Sequence, residues 1–174
     1  LNVVSGVDLD ANTTLNGFRI SKGNANGASG TFYEKGGGLC LRDSDFTISN
    51  LVITNNTSSG AGGGIYASSS DLISTNCKFT NNMAGGSGGG ITIGSSSTFT
   101  FTNCSFRDNL SLGWGGGISS DSDAYVNLTT CVFSNNYCDV LGGGIATSKS
   151  NITNCVFTGN VAGIRGGGIG SFNN

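Results

Sequence analysis

A cysteine, an arginine and an aspartate stand within one seven-residue stretch, "NCSFRDN" (103–109). Such a trio could make a reactive thiolate, because a neighbouring cation lowers a thiol's pKa. Two acidic pairs, Asp43/Asp45 and Asp121/Asp123, are the other candidates for chemistry. Paired carboxylates are what glycoside cleavage requires. The chain has no histidine, which removes Ser-His-Asp and Cys-His catalysis of the usual kind and any His-containing zinc site. The cysteines never occur as C-x-x-C, and the glycine strings lack the "GK[ST]" of a phosphate loop. Ile or Leu follows each glycine triplet, where a calcium-binding glycine repeat would need Asp at fixed places.

Whether these groups meet depends on the elements that carry them, and those elements repeat. The stretch recurs as "NCKFTNN" (76–82), "TCVFSNN" (130–136) and "NCVFTGN" (154–160), with Cys, Phe and the last Asn holding their places. A glycine triplet followed by Leu or Ile begins at Gly36, Gly62, Gly88, Gly115, Gly142 and Gly166, at intervals of 24–27 residues. The first full copy carries Leu51-x-Ile53-x-x-Asn56 in place of Cys-x-Phe-x-x-Asn, and Phe18-x-Ile20 reads as a worn version of the same unit. Apolar and polar residues alternate in Cys77-Lys78-Phe79-Thr80 and in Phe99–Cys104, the two-residue period of a half-buried strand. β-branched residues and Phe are plentiful and turn residues punctuate every few positions, so helical solenoids are excluded.

A unit of this length with about three short strands is one coil of a parallel β-helix. The fold class expected is all-β: a single-stranded parallel β-helix, or solenoid, of six to seven coils. Residues 1–174 form one domain, in which 1–35 supply an N-terminal strand and a degenerate coil. Residues 36–165 supply five regular coils and 166–174 an incomplete last one. Coils about 4.8 Å apart make a rod roughly 30 Å long.

In-register stacking puts like on like. Phe79, Phe106, Phe133 and Phe157 form an inward column continued by Ile20 and Ile53, each buried ring contributing roughly 1.5–3 kcal/mol. Cys77, Cys104, Cys131 and Cys155 lie two residues earlier on the same face, with Leu51 and Phe18 in their place in the early coils. Replacement by Leu and Phe marks a packing position, so Cys104 reads as a small apolar core residue. A disulfide within the ladder, which parallel side chains orient poorly, and a reactive thiol are the alternatives. Cys138 takes a slot held elsewhere by Ala84, Ser111 and Ala162. Cys40 follows the inward Leu39 and is expected to point outward, as the candidate thiol for an intermolecular bridge. Asn56, Asn82, Asn109, Asn136 and Asn160 fall at a corner where side-chain amides can bond to the coils above and below. The glycine triplets imply positive φ at a tight corner or packing too close for a Cβ.

The two acidic pairs occupy the same turn of coils three apart, roughly 14 Å, too far to act as one hydrolytic pair. Neither has an Arg, Lys or aromatic cluster beside it in the sequence to make a sugar cleft. Sequons at Asn12, Asn55, Asn56, Asn103, Asn109, Asn127 and Asn151 reflect a composition rich in Asn, Ser and Thr, and Asn56 and Asn109 should face inward. The column Ser21, Thr54, Thr80, Arg107, Ser134, Thr158 is too irregular, with Arg107 in it, for a flat ice-binding array. Charged residues are 10% of the chain and the net charge is −2, with no basic stripe for nucleic acid. No apolar run approaches the roughly 20 residues of a membrane helix, and "LNVVSGVDLD" is unlike a leader peptide.

The alternation of "GGGI" with "FTNN", "FRDN", "FSNN" and "FTGN" resembles the GGA[ILV]/FxxN repeats of chlamydial polymorphic outer-membrane proteins. More broadly it resembles the right-handed parallel β-helix repeat proteins of bacteria and archaea, whose first coil "LNGFRISKGNANG" is similar to. This chain has Gly where the chlamydial type has Ala. The resemblance covers about 13–172 and implies a right-handed coil and a secreted or surface-displayed protein. The function expected is that of a non-catalytic extracellular or cell-surface module, structural or adhesive. The alternatives are a subunit of a head-to-tail extracellular filament, for which both ends read as open, and a glycan-binding or glycan-cleaving β-helix. Partners expected are the chain itself, stacked end to end, or glycans or proteins of a host or neighbouring cell surface. Neither nucleic acid nor a direct membrane span is expected, and no catalytic residue, metal or cofactor is assigned.

Overall fold

A computed structural model describes residues 3–172; Leu1, Asn2, Asn173 and Asn174, the outermost residues of the domain read from the sequence, lie outside the described residues. The chain winds as an all-β parallel solenoid. Each turn contributes one strand to each of four parallel sheets, one of seven strands and three of six. The turn that opens at Gly88 shows the pattern. Ile91–Ile93 lies in the first sheet, Thr98–Thr102 in the second, Ser105–Arg107 in the third and Leu110–Ser111 in the fourth. Four strands per turn replace the three read from the sequence. The fourth is only two residues long in every turn, as in Met83–Ala84 and Tyr137–Cys138, too short to show an alternation. The glycine-triplet repeat spans about five regular turns, slightly fewer than six to seven. The larger figure is reached only by counting the N-terminal turn and the last strand, Ile169–Gly170.

Register is uninterrupted. Ile20, Ile53, Phe79, Phe106, Phe133 and Phe157 pair in one row. The phenylalanine rings stack at 4.6, 4.6 and 4.7 Å with interplanar angles of 4–7°, a spacing set by the strand separation. Phe101 meets Phe79 and Phe106 edge-on, which suits the ring quadrupoles. Leu51 is fully buried, but Phe18, in the same row, is 56% exposed. It belongs to the first turn, where no further strand of the third sheet roofs it among the described residues.

The motif "FTNN" resolves atom by atom. Phe points in and Thr out. The first Asn sits in the left-handed region, as Asn55, Asn81 and Asn135 do at φ 53–55°, a conformation that Asn tolerates better than most residues. The second Asn turns its amide into the core. The oxygen of Asn109 accepts from the backbone N–H of Asn82 at 3.0 Å and from its Nδ2 at 3.1 Å. The Nδ2 of Asn109 donates to the carbonyl of Phe79 at 2.9 Å and to Oδ1 of Asn136 at 2.9 Å.

The glycine triplets serve both needs anticipated, divided by position. The first glycine takes positive φ, +67° at Gly88 and +64° at Gly115. The second and third lie against the next turn: a Cβ on Gly116 would meet the Gly143 and Tyr137 carbonyl oxygens at 2.5 Å, and one on Gly117 the Gly144 oxygen at 2.5 Å.

Candidate functional site

The opening cluster does not converge. Cys104 points into the core at 2% exposure, while Arg107 and Asp108 lie outside and pair with each other at 3.1 Å. Both charges are well exposed, so that pair contributes little. Cys77, Cys104 and Cys131 are buried, Cys155 is half-buried, and all four carry free thiols. Each sulfur lies 3.2–3.4 Å from the carbonyl two residues earlier, Thr75, Thr102, Thr129 and Thr153 in turn. A hydrogen bond to Cys104, with burial, pushes the Cys77 thiol well above the ordinary range, and one to Cys131 raises Cys104. The bond from Cys104 shifts Cys131 downward. Burial raises Cys138, which shares its row with Ala84, Ser111 and Ala162.

Cys40 requires a correction. It does point away from the core, but it is only 7% exposed, so an intermolecular bridge is closed to it. A short 3-10 turn, Phe32–Glu34, folds over it, capped by the Thr31 hydroxyl, and the Cys40 sulfur lies 4.0 Å from the Phe32 carbonyl. No motif announces this cover, because the segment stands outside the repeat.

The acidic residues are hydrogen-bonded between turns. Asp45 Oδ1 accepts from the Asp71 N–H at 3.0 Å, and Asp71 Oδ1 from the Thr98 N–H at 2.7 Å. Asp123 Oδ2 accepts from the Ser96 N–H at 3.1 Å, and Asp121 Oδ2 from the Ser95 hydroxyl at 2.9 Å. Two further ladders lie outside the inward columns that the sequence singles out. Ser44, Ser70 and Ser97 hand a hydroxyl oxygen to the backbone N–H of the preceding turn at 3.1 Å, in the steps Leu9–Ser44, Ser44–Ser70 and Ser70–Ser97. Asn16, Asn50, Asn76 and Asn103 form an exposed amide row outside the coil. Recurrence at the repeat interval was the available signal in both cases.

One face departs from the others. On the second and third sheets the outward residues other than Thr54 are at least partly open, such as Ile73 at 55% and Val156 at 53% exposure. On the first sheet the outward row is open at Ser5, but from Cys40 through Tyr66, Thr92 and Ser119 to Ala146 it is never more than 9% exposed. These residues form a floor between raised walls. Over Tyr66, Thr92 and Ser119 lies a groove of about 410 Å³ bounded by Lys35, Ser87, Trp114, Ser120, Asp121 and Phe172, within the size range of small-ligand sites. The absence of a basic or aromatic cluster beside the acidic pairs is thereby corrected for Asp121. Lys35, Tyr66, Trp114 and Phe172 are far from it in sequence, but stacked turns bring them to one groove.

The walls are firm. The Trp114 carbonyl accepts from the Gly88 N–H at 2.8 Å and the Ser111 hydroxyl at 3.1 Å, and its N–H donates to Ser87 Oγ at 3.3 Å. Its ring, 46% exposed, is braced edge-on by Phe172 at 5.5 Å. Lys35 Nζ lies 4.6 Å above the Tyr66 ring and 5.1 Å from the Phe32 ring, and donates to the Tyr66 hydroxyl at 3.4 Å. Among the described residues Asp121 is the carboxylate in the lining, beside groups suited to stacking and hydrogen bonding. Among the described residues no cluster of three or more His, Cys, Asp or Glu could hold a metal ion, and no helix is long and apolar enough to cross a membrane.

No curated protein and no solved structure matches the chain. A family model described as "right handed beta helix region" matches residues 5–173, nearly the whole length and the same span that the stacked turns occupy, so the chain belongs to the right-handed β-helix family.

Proposed function

We propose that this β-helix is a non-catalytic extracellular module, adhesive or structural, that acts through its lateral surface, and that the groove over the first sheet is its contact site. The observation that carries this reading is the division of labour among side chains. The Cys, Phe, Asn and Ser columns and the turn carboxylates hold successive turns together, whereas the Trp114 side chain, fixed at its backbone and braced by Phe172, stays 46% exposed on the wall of one groove. An exposed aromatic cluster held rigid costs little entropy to engage and is typical of contact surfaces.

The test is binding of labelled protein to a panel of intact cells and purified surface glycoconjugates. Saturable binding, with no new reducing ends released from the polysaccharides offered, is the expected result. Absence of saturable binding to any of them, or turnover of a polysaccharide, overturns the reading.

A further inference from the structure

We infer that residues 26–35 form a hinged strap that lifts from the coil as a unit and regulates access to the first sheet. Shut, it splits the outer face of that sheet into two cavities; lifted, it joins them. Its regulatory role rests on the groove being the contact site, as proposed above, whereas the hinge itself does not.

The strap is an insertion. Between the strand of the fourth sheet and the glycine triplet, later turns place three residues, as in 59–61, 85–87 and 112–114, whereas the first turn places ten, 26–35. Both ends are pinned to the neighbouring turn, by the Ser59 N–H to the Ala25 carbonyl at 2.8 Å and by the Gly36 N–H to the Ala61 carbonyl at 3.0 Å. No residue between these ends is buried, and Phe32 and Tyr33 are 39% and 67% exposed. Lifting the strap therefore takes nothing out of the core, and segments of that kind open at the low end of the free-energy range. Its internal bonds favour movement as one piece. The Gly30 N–H donates to Glu34 Oε1 at 2.7 Å, the Gly27 N–H to the Tyr33 carbonyl at 3.0 Å and the Lys35 N–H to the Phe32 carbonyl at 3.1 Å. Against the coil, the Glu34 carbonyl accepts from the Gly60 N–H at 2.8 Å. The Phe32 ring meets Tyr66 edge-on at 6.0 Å, and the Arg42 guanidinium lies 4.2 Å from its centre.

Position makes the strap a divider. Ser5, Cys40, Tyr66 and Thr92 follow one another in the outward row. Ser5 and Cys40 face a cavity of about 380 Å³ that Phe32, Tyr33 and Arg42 enclose, whereas Tyr66 and Thr92 face the groove that Lys35 bounds. Cys40 and Tyr66 are neighbours, yet Phe32 stands between their cavities, its ring against Tyr66 and its carbonyl 4.0 Å from the Cys40 sulfur. Lifting the strap withdraws Phe32, Tyr33 and Lys35 from both walls and leaves one trough from Ser5 to Ser119. A partner too long for the closed groove binds only the lifted form, and so shifts the population toward it.

Cys40 lies beneath the strap at 7% exposure, so its thiol times the opening. The whole chain is incubated with iodoacetamide in rising urea below the unfolding transition, and each cysteine is followed by peptide mass spectrometry. Cys40 is expected to react at a rate nearly independent of urea, and Cys104 only as global unfolding approaches. Phe32→Ala should speed the Cys40 reaction about tenfold, as loss of one edge-on and one cation–π contact implies, and leave Cys104 unchanged. A chain with 26–35 replaced by the sequence of 59–61 should react at Cys40 as fast as an open thiol, whereas Tyr125→Ala, on the second sheet, alters neither rate. Circular dichroism confirms that each variant is folded. Cys40 reacting in step with Cys104, in the parent and in Phe32→Ala alike, overturns the hinge. Cell binding by the same variants tests the regulation: Phe32→Ala and the shortened chain should bind more tightly than the parent by about the factor gained in opening. Binding equal to the parent's in both overturns the regulation and leaves the hinge standing. If the parent binds no cell at all, the adhesive reading falls and the regulation with it, while the thiol rates still decide the hinge.

Discussion

At the residue scale, the same amino acid does different work a few ångströms apart. Asn109 is inside, and its Oδ1 is shared by two donors of Asn82 while its Nδ2 serves the Phe79 carbonyl. Asn103 is outside, at φ 53°, and its amide makes one exposed bond, to Asn76 Oδ1 at 2.7 Å. Asn109→Ala orphans several buried polar groups, each at about 1–3 kcal/mol, so a loss of about 3 kcal/mol or more in urea-melt stability is expected. Asn103→Gly should change stability by less than about 1 kcal/mol, since glycine adopts the left-handed region freely. Equal effects of the two variants would contradict the ladder's role. The thiols give a pH signature. Cys77, Cys104 and Cys138 are raised above the unfolded value of 9.0, against one lowered, Cys131. The folded state therefore holds more protons than the unfolded chain once pH passes that value, so stability present at pH 7 is lost as pH rises. The denaturant midpoint should fall between pH 8 and pH 10, and Cys77→Ala should make the fall shallower.

At the element scale, backbone approach decides more than side-chain size. A Cβ at Gly116 would strike two carbonyl oxygens at 2.5 Å. The Tyr137 oxygen belongs to a ladder strand and the Gly143 oxygen accepts from the Gly117 N–H, so neither can move independently, and Gly116→Ala should cost about 2–3 kcal/mol, at the upper end of overpacking effects. Gly17 offers the contrast. It has φ +77° and nothing within 4 Å of the place a Cβ would take, and it holds the corner that Asn50, Asn76 and Asn103 occupy in later turns. Gly17→Asn is expected to stay within about 0.5 kcal/mol of the parent, as substitutions without strain or lost contacts do. Thermal melts of the two variants separate these outcomes.

At the scale of the whole molecule, stability is a sum over neighbouring turns. The centre is roofed on both sides, whereas Cys155 and Phe157 at the last full turn are only partly buried. Native-state hydrogen exchange should find the amides around Phe79 and Phe106 the slowest, and those around Phe157 markedly faster. Uniform protection along the rod would contradict a stack of nearest-neighbour terms. Labelling should follow the same gradient: in the folded protein a thiol reagent is expected to modify Cys155 first, and Cys77, Cys104 and Cys131 only on unfolding.

The inward columns were legible because stacking at a fixed interval turns sequence periodicity into spatial identity: Cys77, Phe79 and Asn82 each predict their counterparts one turn on. The two-residue fourth strand was not, since two residues show no period. Nor was the fate of Phe18 or Cys40, whose exposure depends on what lies above them. The sequence by itself determined the repeat, the inward rows, the parallel coil and the need for glycine at the corner. Only the tertiary structure decided the groove, because its parts come from the non-repeating Lys35 segment, the Trp114 wall and a floor of one residue per turn. A periodic pattern carries information about what repeats, and a binding surface is built where the repeat is broken.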